Sequence, residues 1–240
     1  MTRRVLLDRD LTHAWLDAAL NLATSATPLE QARITLTESL ECEPLGEEAR
    51  SKTVTALTRT WLNPDPSVRR ILDWAIAHSV EQLDSRPLHI GALLVTQPFF
   101  ADQAAVVGRI LTVQDDVDTR TVRARMRALW GPRRAVDVAV QRTIKTMRSL
   151  GMLQGTAGES LSRKAPQINV RTPVTGGWLA ACLLQARDAD SISTTEFFHA
   201  PELVYLHLPT QLELVESGLQ RFSEGAGRSV LSARAPARQP

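Results

Sequence analysis

The sequence predicts a mainly α-helical protein on three observations. Apolar residues recur at spacings of three and four as far as Leu150, prolines and capping residues punctuate those stretches, and short β-branched runs appear only after Gly151. With 240 residues and 43% hydrophobic content the chain can bury a core, as one domain or as two small ones packed closely.

THAWLDAALNLA spaces Trp15, Ala18, Ala19 and Leu22 on one helical face. TPLEQARITLTESL offers Thr27 as N-cap, Pro28 at the first helical position and Glu30 at the third, close to a capping box. GEEARSKTVTALTRTWL puts Val54, Leu57 and Trp61 on one stripe; NPDPS ends it before a helix carrying Val68, Ile71, Leu72, Ala75 and Ile76. Pro98 then separates an apolar segment from a helix on which Phe100, Ala104, Val107 and Leu111 share a face, so that five or six helices are expected before residue 118. Beyond Gly151, the pair Met152 and Leu153, the loop QGTAGESLSRKAP and the run QINV predict a β-hairpin. GGWLAACLLQA predicts one more helix through Trp178, Ala181 and Leu184, while FFHAPELVYLHLPTQLELVESGLQRF mixes two periodicities and receives no assignment. SEGAGRSVLSARAPARQP has the composition of a flexible tail, and no internal repeat or coiled-coil register is visible.

No apolar run reaches the roughly 18 residues that span a bilayer, and charges interrupt the N-terminus too early for a signal peptide, so a cytoplasmic, membrane-free location is expected. Cys42 and Cys182 are expected as buried reduced thiols.

The net charge of +2 conceals an asymmetry. Residues 1–118 carry 11 basic and 17 acidic side chains, residues 119–148 carry nine basic against Asp137 alone, and residues 149–240 carry eight of each. A solvated face normally mixes both signs, so the local excess points to a polyanion. Around it, from Phe99 to Val170, the predicted order is helix, helix, turn, helix, hairpin, the order of a winged helix-turn-helix. In TRTVRARMRALW, Val122, Met126 and Leu129 are expected to face inward and Arg120, Arg123 and Arg127 outward. Gly131 and Pro132 make the turn. A third helix starting near Arg133 then buries Val136, Val140, Ile144, Met147 and Leu150, leaving Arg134, Asp137, Gln141, Lys145 and Arg148 outside. Arg133 and Arg134 fall at the end that approaches base edges, and Gln141 carries an amide suited to adenine. Arg142, Lys145 and the preceding arginines suit phosphates, as do Arg163 and Lys164 near the wing tip. Double-stranded DNA is expected over RNA, because Trp130 is the one aromatic in the basic region and its place at a helix end suits the core.

The expected division is an acidic helical bundle over 1–97, a winged helix-turn-helix over 98–172, a helical or mixed segment over 173–222 and a flexible tail over 223–240. No catalytic residue, cofactor or metal is expected. No nucleophile elbow or phosphate loop occurs, GTAGES at 155–160 lacks the Lys and the helix of a phosphate cradle, and the five histidines are scattered. The competing readings are a protein-protein adaptor using the same fold, and a homodimeric transcriptional regulator.

LTRTWLNP, HIGALLVTQPFFADQAAVVGRIL and MRALWGPRRAVDVAVQRTIKTMRSLGML, over about residues 53–155, together resemble the small helical DNA-binding accessory proteins of bacterial phage-defence islands, namely the A component of BREX systems. The likeness lies in the order of elements and in the Trp130-Gly131, arginine-rich and Leu150-Gly151-Met152-Leu153 positions. It implies a non-enzymatic accessory subunit in antiviral defence that works beside a larger methyltransferase, helicase or nuclease.

Overall fold

A computed structural model describes residues 9–155, 160–214, 217–223 and 228–232. The protein is mainly helical, with small sheets. Thr12 opens α1 (His13–Thr24) by accepting from the Trp15 amide. The stripe α1 buries is Leu16, Ala19 and Leu20; Trp15, Ala18 and Leu22 are only partly buried, and the Trp15 indole donates to Glu43 at 3.2 Å. α2 (Leu29–Ser39) starts one residue later than predicted, with Pro28 in the cap position and no side-chain cap. Thr27 belongs instead to the end of α1, where its amide donates to the Leu22 carbonyl.

α3 (Glu47–Leu57) runs on into one π turn, Thr58–Leu62, and Val54, Leu57 and Trp61 are buried as the stripe requires. Asp65 caps α4 (Pro66–His78) by accepting from the Ser67 amide at 2.9 Å. α5 (Arg86–Thr96) and α6 (Pro98–Leu111) are bent by 116° at Pro98, which denies the α5 helix an amide and its predecessor an α conformation. Both helices are buried on nearly every side, as is α9 (Pro173–Arg187). Such helices lie inside a fold because no polar face is available to water.

Close approach is what lets three such helices share a core. A Cβ on Gly91 of α5 would lie 2.4 Å from the Trp178 ring of α9, whose indole donates to the Ile71 carbonyl at 2.8 Å. A Cβ on Gly108 of α6 would lie 1.9 Å from the Pro201 carbonyl oxygen. Tyr205 reaches the same helix, donating to the Ala104 carbonyl at 2.7 Å. One connected apolar core runs from Leu11 to Leu231. Among the described residues no single helix is long and apolar enough to cross a membrane.

After α6 come β1 (Asp116–Asp118), α7 (Thr119–Trp130), α8 (Arg134–Ser149), β2 (Leu153–Gln154) and β3 (Leu161–Lys164), with strand order β1-β3-β2, all antiparallel. Four sequence expectations change here. The second hairpin strand is Leu161–Lys164, inside the predicted loop, because it pairs on both edges, with β1 as well as β2. QINV supplies β4 (Ile168–Asn169), which runs parallel to β6 (Leu206–His207) beyond the Pro166 break. Leu129 is 57% exposed; Trp130 takes the buried position one residue on, its indole donating to Asp102 at 2.9 Å. Cys42 is exposed in the turn after α2, whereas Cys182 is buried on α9, where burial pushes its thiol pKa well up; both thiols are free.

β5 (Ser191–Ser193) leads into α10 (Thr194–Phe198), a three-residue 3-10 turn at Pro201–Leu203, β6, β7 (Gln220–Ser223) and β8 (Ser229–Ser232). β8 falls in the stretch read as a flexible tail, yet it is the central strand of the sheet β5-β8-β7, which buries Val230 and Leu231. Residues 224–227 and 233–240 of that stretch lie outside the described residues.

The two three-stranded sheets are built alike. In each, a helix precedes a short strand with one buried central residue, Val117 or Ile192. That strand ends in a residue capping the next helix, Asp118 or Ser193, and it pairs with the far strand of a later hairpin. The chain therefore repeats a topology without repeating a sequence. The second copy is reduced: α10 has 5 residues against 12 in α7, and among the described residues a 3-10 turn and the short β6 stand where α8 stands in the first.

Gly108→Ala tests the close approach of α6 to that turn. In an exposed helix the change stabilises by about 1 kcal/mol, but here the methyl group meets the Pro201 carbonyl. Equilibrium urea unfolding should show a loss of about 1–3 kcal/mol, and an unchanged or raised midpoint would contradict the packing.

Candidate nucleic-acid interface

The basic stretch folds into two helices joined by three residues. Asp118, the last residue of β1, accepts from the Arg120 amide at 2.8 Å and so starts α7 where the strand ends. Gly131 turns the chain at φ 85°, a conformation glycine adopts without a steric penalty. Arg133 is extended and caps α8 through its backbone alone, leaving the first amides of a 16-residue helix without a side-chain acceptor. The buried stripe of α8 is the predicted one: Val136, Val140, Ile144, Met147 and Leu150 all have 3% exposure or less.

The predicted site residues divide by what holds them. Arg134, Gln141 and Lys145 are exposed on α8, Arg134 in its first turn. Arg133 is half-buried and folds back onto the turn, donating to the Trp130 carbonyl at 2.9 Å. Arg127 grips Asp137 with two hydrogen bonds, one of 2.7 Å, and Arg123 lies 3.9 Å from the same carboxylate. Asp137 therefore pins α7 to α8, and the Arg127 hydrogen bond holds its carboxyl below the usual carboxylate range. Arg120 pairs with Asp118 at 3.2 Å while remaining exposed.

Arg148 does not project outward as predicted. Its guanidinium reaches Ser162 Oγ at 3.1 and 2.9 Å and the Leu161 carbonyl at 3.0 Å, tying the end of α8 to the hairpin. Arg163 and Lys164 are exposed but not at the tip. The hairpin closes between Gln154 and Leu161, so they sit toward the far end of β3, with Arg163 3.6 Å from Asp116. The tip residues 156–159 lie outside the described residues.

Residues 10–13 pack along α8. The Leu11 amide donates to Thr146 Oγ1 at 2.8 Å and the His13 amide to Ser149 Oγ at 2.9 Å, with Leu11 fully buried. This seats Asp10 beside two predicted phosphate ligands, 2.6 Å from Arg142 and 3.7 Å from Lys145.

Two places remain open to an anion. One is a hollow of about 260 Å³ lined by Arg120, Arg123, Gln141, Lys145 and Arg148 between α7, α8 and the hairpin. The other is the uncapped start of α8 with Arg134, about 11 Å along the helix axis from the nearest α8 residue of the hollow, Gln141. Sequence reasoning missed Arg125, which is exposed on α7 and makes no ion pair among the described residues. It also missed the carboxylates that fold in from outside the basic window, Asp10, Asp116 and Asp118. Of these only Asp118 had a sequence signal, as an N-cap residue ahead of a helix.

Replacing Asp10 by Ala should loosen residues 10–13. Hydrogen exchange at the Leu11 and His13 amides is expected to quicken while amides of α5 keep their rates; unchanged exchange would mean that Asp10 does not hold the segment.

The sequence matches no family model, and comparison with curated proteins and with solved structures gives no match.

Proposed function

We propose that this protein is a non-enzymatic duplex-DNA-binding protein whose segment α6–β3 is a winged helix-turn-helix with α8 as the reading helix. The observation that carries this is the order helix, strand, helix, helix, hairpin with sheet order β1-β3-β2, around a helix anchored on one side and cationic on the other. Supporting it are eleven cations on α7, α8, the turn and β3, against four carboxylates seated among them. Phosphate contacts from Arg120, Arg125, Lys145 and the uncapped α8 amides supply affinity and register, and Arg134 and Gln141 face the bases. Arg148 acts indirectly, by fixing the hairpin against α8.

The resemblance to the A component of BREX systems extends the proposal to an accessory role in phage defence beside a larger enzyme subunit. The adaptor reading has an observation of its own. Between α6, the end of α7 and the reduced second copy runs a groove of about 1030 Å³ in which Ala101, Ala105, Ala186 and Pro201 alternate with charged residues, Asp102, Arg109, Arg187 and Glu202 among them, with Leu129 exposed at its rim. A partner helix would fit that shape.

DNA affinity should fall steeply with salt. The double change Arg133→Ala with Arg134→Ala should weaken binding with circular dichroism unchanged, and Arg120→Ala with Arg125→Ala should flatten the log–log slope by about 1–2, at roughly 0.9 for each phosphate no longer neutralised. Asp10→Asn should strengthen binding by releasing Arg142 and Lys145. Salt-independent binding, or affinity indifferent to the double change, would refute DNA recognition by this face. Absence of any DNA shift at moderate salt together with co-purification of a larger subunit would favour the adaptor.

A further inference from the structure

Away from the basic face, α1 and α5 bring together a cluster whose members lie far apart in the sequence. α1 places His13 and Asp17 one turn apart on the same side. α5 contributes His89 from its first turn, and Ser85 stands in its cap position. Asp17 is the hub: His89 Nε2 lies 2.8 Å and Ser85 Oγ 2.6 Å from its Oδ1, and His13 Nε2 lies 3.3 Å from its Oδ2. His13 Nε2 is also 2.9 Å from Ser85 Oγ.

We propose that His13, Asp17 and His89 form a binding site for a divalent transition-metal ion of the zinc type, with Ser85 or a water molecule beside the remaining position. Two imidazoles and one carboxylate are a donor set that such ions favour. Each His offers Nε2, and the three ligand atoms lie within 4.8 Å of one another. An ion about 2.0–2.2 Å from each donor in tetrahedral geometry needs donor–donor edges of about 3.3 Å; His13 Nε2 stands 3.3 Å from Asp17 Oδ2 and His89 Nε2 2.8 Å from Asp17 Oδ1, so an ion is reached by both rings from the two oxygens of one carboxylate.

His89 is the buried member of the set. Its side chain is fully buried and its Nδ1 has no hydrogen-bond partner among the described residues, while Nε2 is aimed at the cluster. Its ring is held edge-on between Trp61, at 5.6 Å between centroids, and His13, at 5.5 Å. A hydrophobic side chain would fill that space without an orphaned nitrogen, so the one polar service His89 performs is at Nε2. Solvent reaches the opposite side, where the His13 and Asp17 side chains are 34% and 38% exposed, which gives an ion a way in. Without metal the carboxylate collects hydrogen bonds from Ser85 and His89. With metal each imidazole carries its proton on Nδ1 and gives its Nε2 lone pair to the ion, so neutral rings release no proton. The sequence offered no sign of this, since 75 positions separate the two histidines.

The test is a cobalt(II) titration of the chelator-treated full chain, followed by visible absorption and by equilibrium dialysis with zinc. The expected result is a single equivalent bound with the intense d–d bands of a low-coordinate site, and a thermal midpoint raised by zinc. His13→Ala, at a part-exposed position, should retain the helical circular dichroism and lose both the bands and the shift. Asp17→Asn should do the same, and His199→Ala should change neither. No stoichiometric binding, or binding that survives both His13→Ala and Asp17→Asn, would overturn the proposal; so would binding abolished by His199→Ala.

Discussion

Helices α5, α6 and α9 have almost no polar surface, and keeping water away from all three at once constrains everything else. Side chains large enough to fill the core would hold such elements apart, so α5 meets α9 at Gly91, against the Trp178 ring, and α6 meets the 3-10 turn at Gly108, against the Pro201 backbone. Two of the polar groups carried inside tie distant elements together. Gln103, fully buried on α6, donates to the Val140 carbonyl of α8, and the Trp130 indole donates to Asp102. Those two bonds fix the basic helices to the central ones. The reading helix of the proposed interface is thus positioned by the same burial that holds the bundle together.

Much of this fold was legible in the sequence. The α8 stripe at spacings of four, four, three and three is buried as written, and the Gly131 turn is where the glycine stands. What was not legible concerns choices that neighbours make. Trp130 is buried as its place at the helix end suits, but Leu129, expected inward beside it, is exposed, because Trp130 fills that side with its indole bonded to Asp102. Leu161–Lys164 alternates too weakly to read as a strand, and its identity comes from partners on both edges. The repeated topology was invisible for a similar reason. Each copy needs one buried residue in a three-residue strand and one polar cap, a specification too sparse to leave sequence identity.

The candidate interface was legible as a location but not as an electrostatic state. A window along the chain counts only Asp137 against nine cations, whereas folding seats Asp10, Asp116 and Asp118 among them from outside the window. It also assigns each cation a job that spacing cannot. Arg127 and Arg148 brace the helix pair and the hairpin, and Arg134 stands clear on the first turn. The His13, Asp17 and His89 cluster is the extreme case, two residues of one helical turn meeting a third across the bundle.

Asp10 is not simply a surface acid that happens to lie near two bases. Because Leu11 is buried and its amide is bonded to Thr146, the carboxylate is tethered beside Arg142 and Lys145 at an effective concentration in the millimolar range. A lone phosphate or nucleotide at micromolar levels competes poorly with so local a rival. A polymer that engages Arg120, Arg125 and Arg134 in the same encounter carries its own phosphates past that threshold. If the basic face binds DNA as proposed, residues 10 and 11 make it a valency filter, ignoring small anions and yielding to long ones.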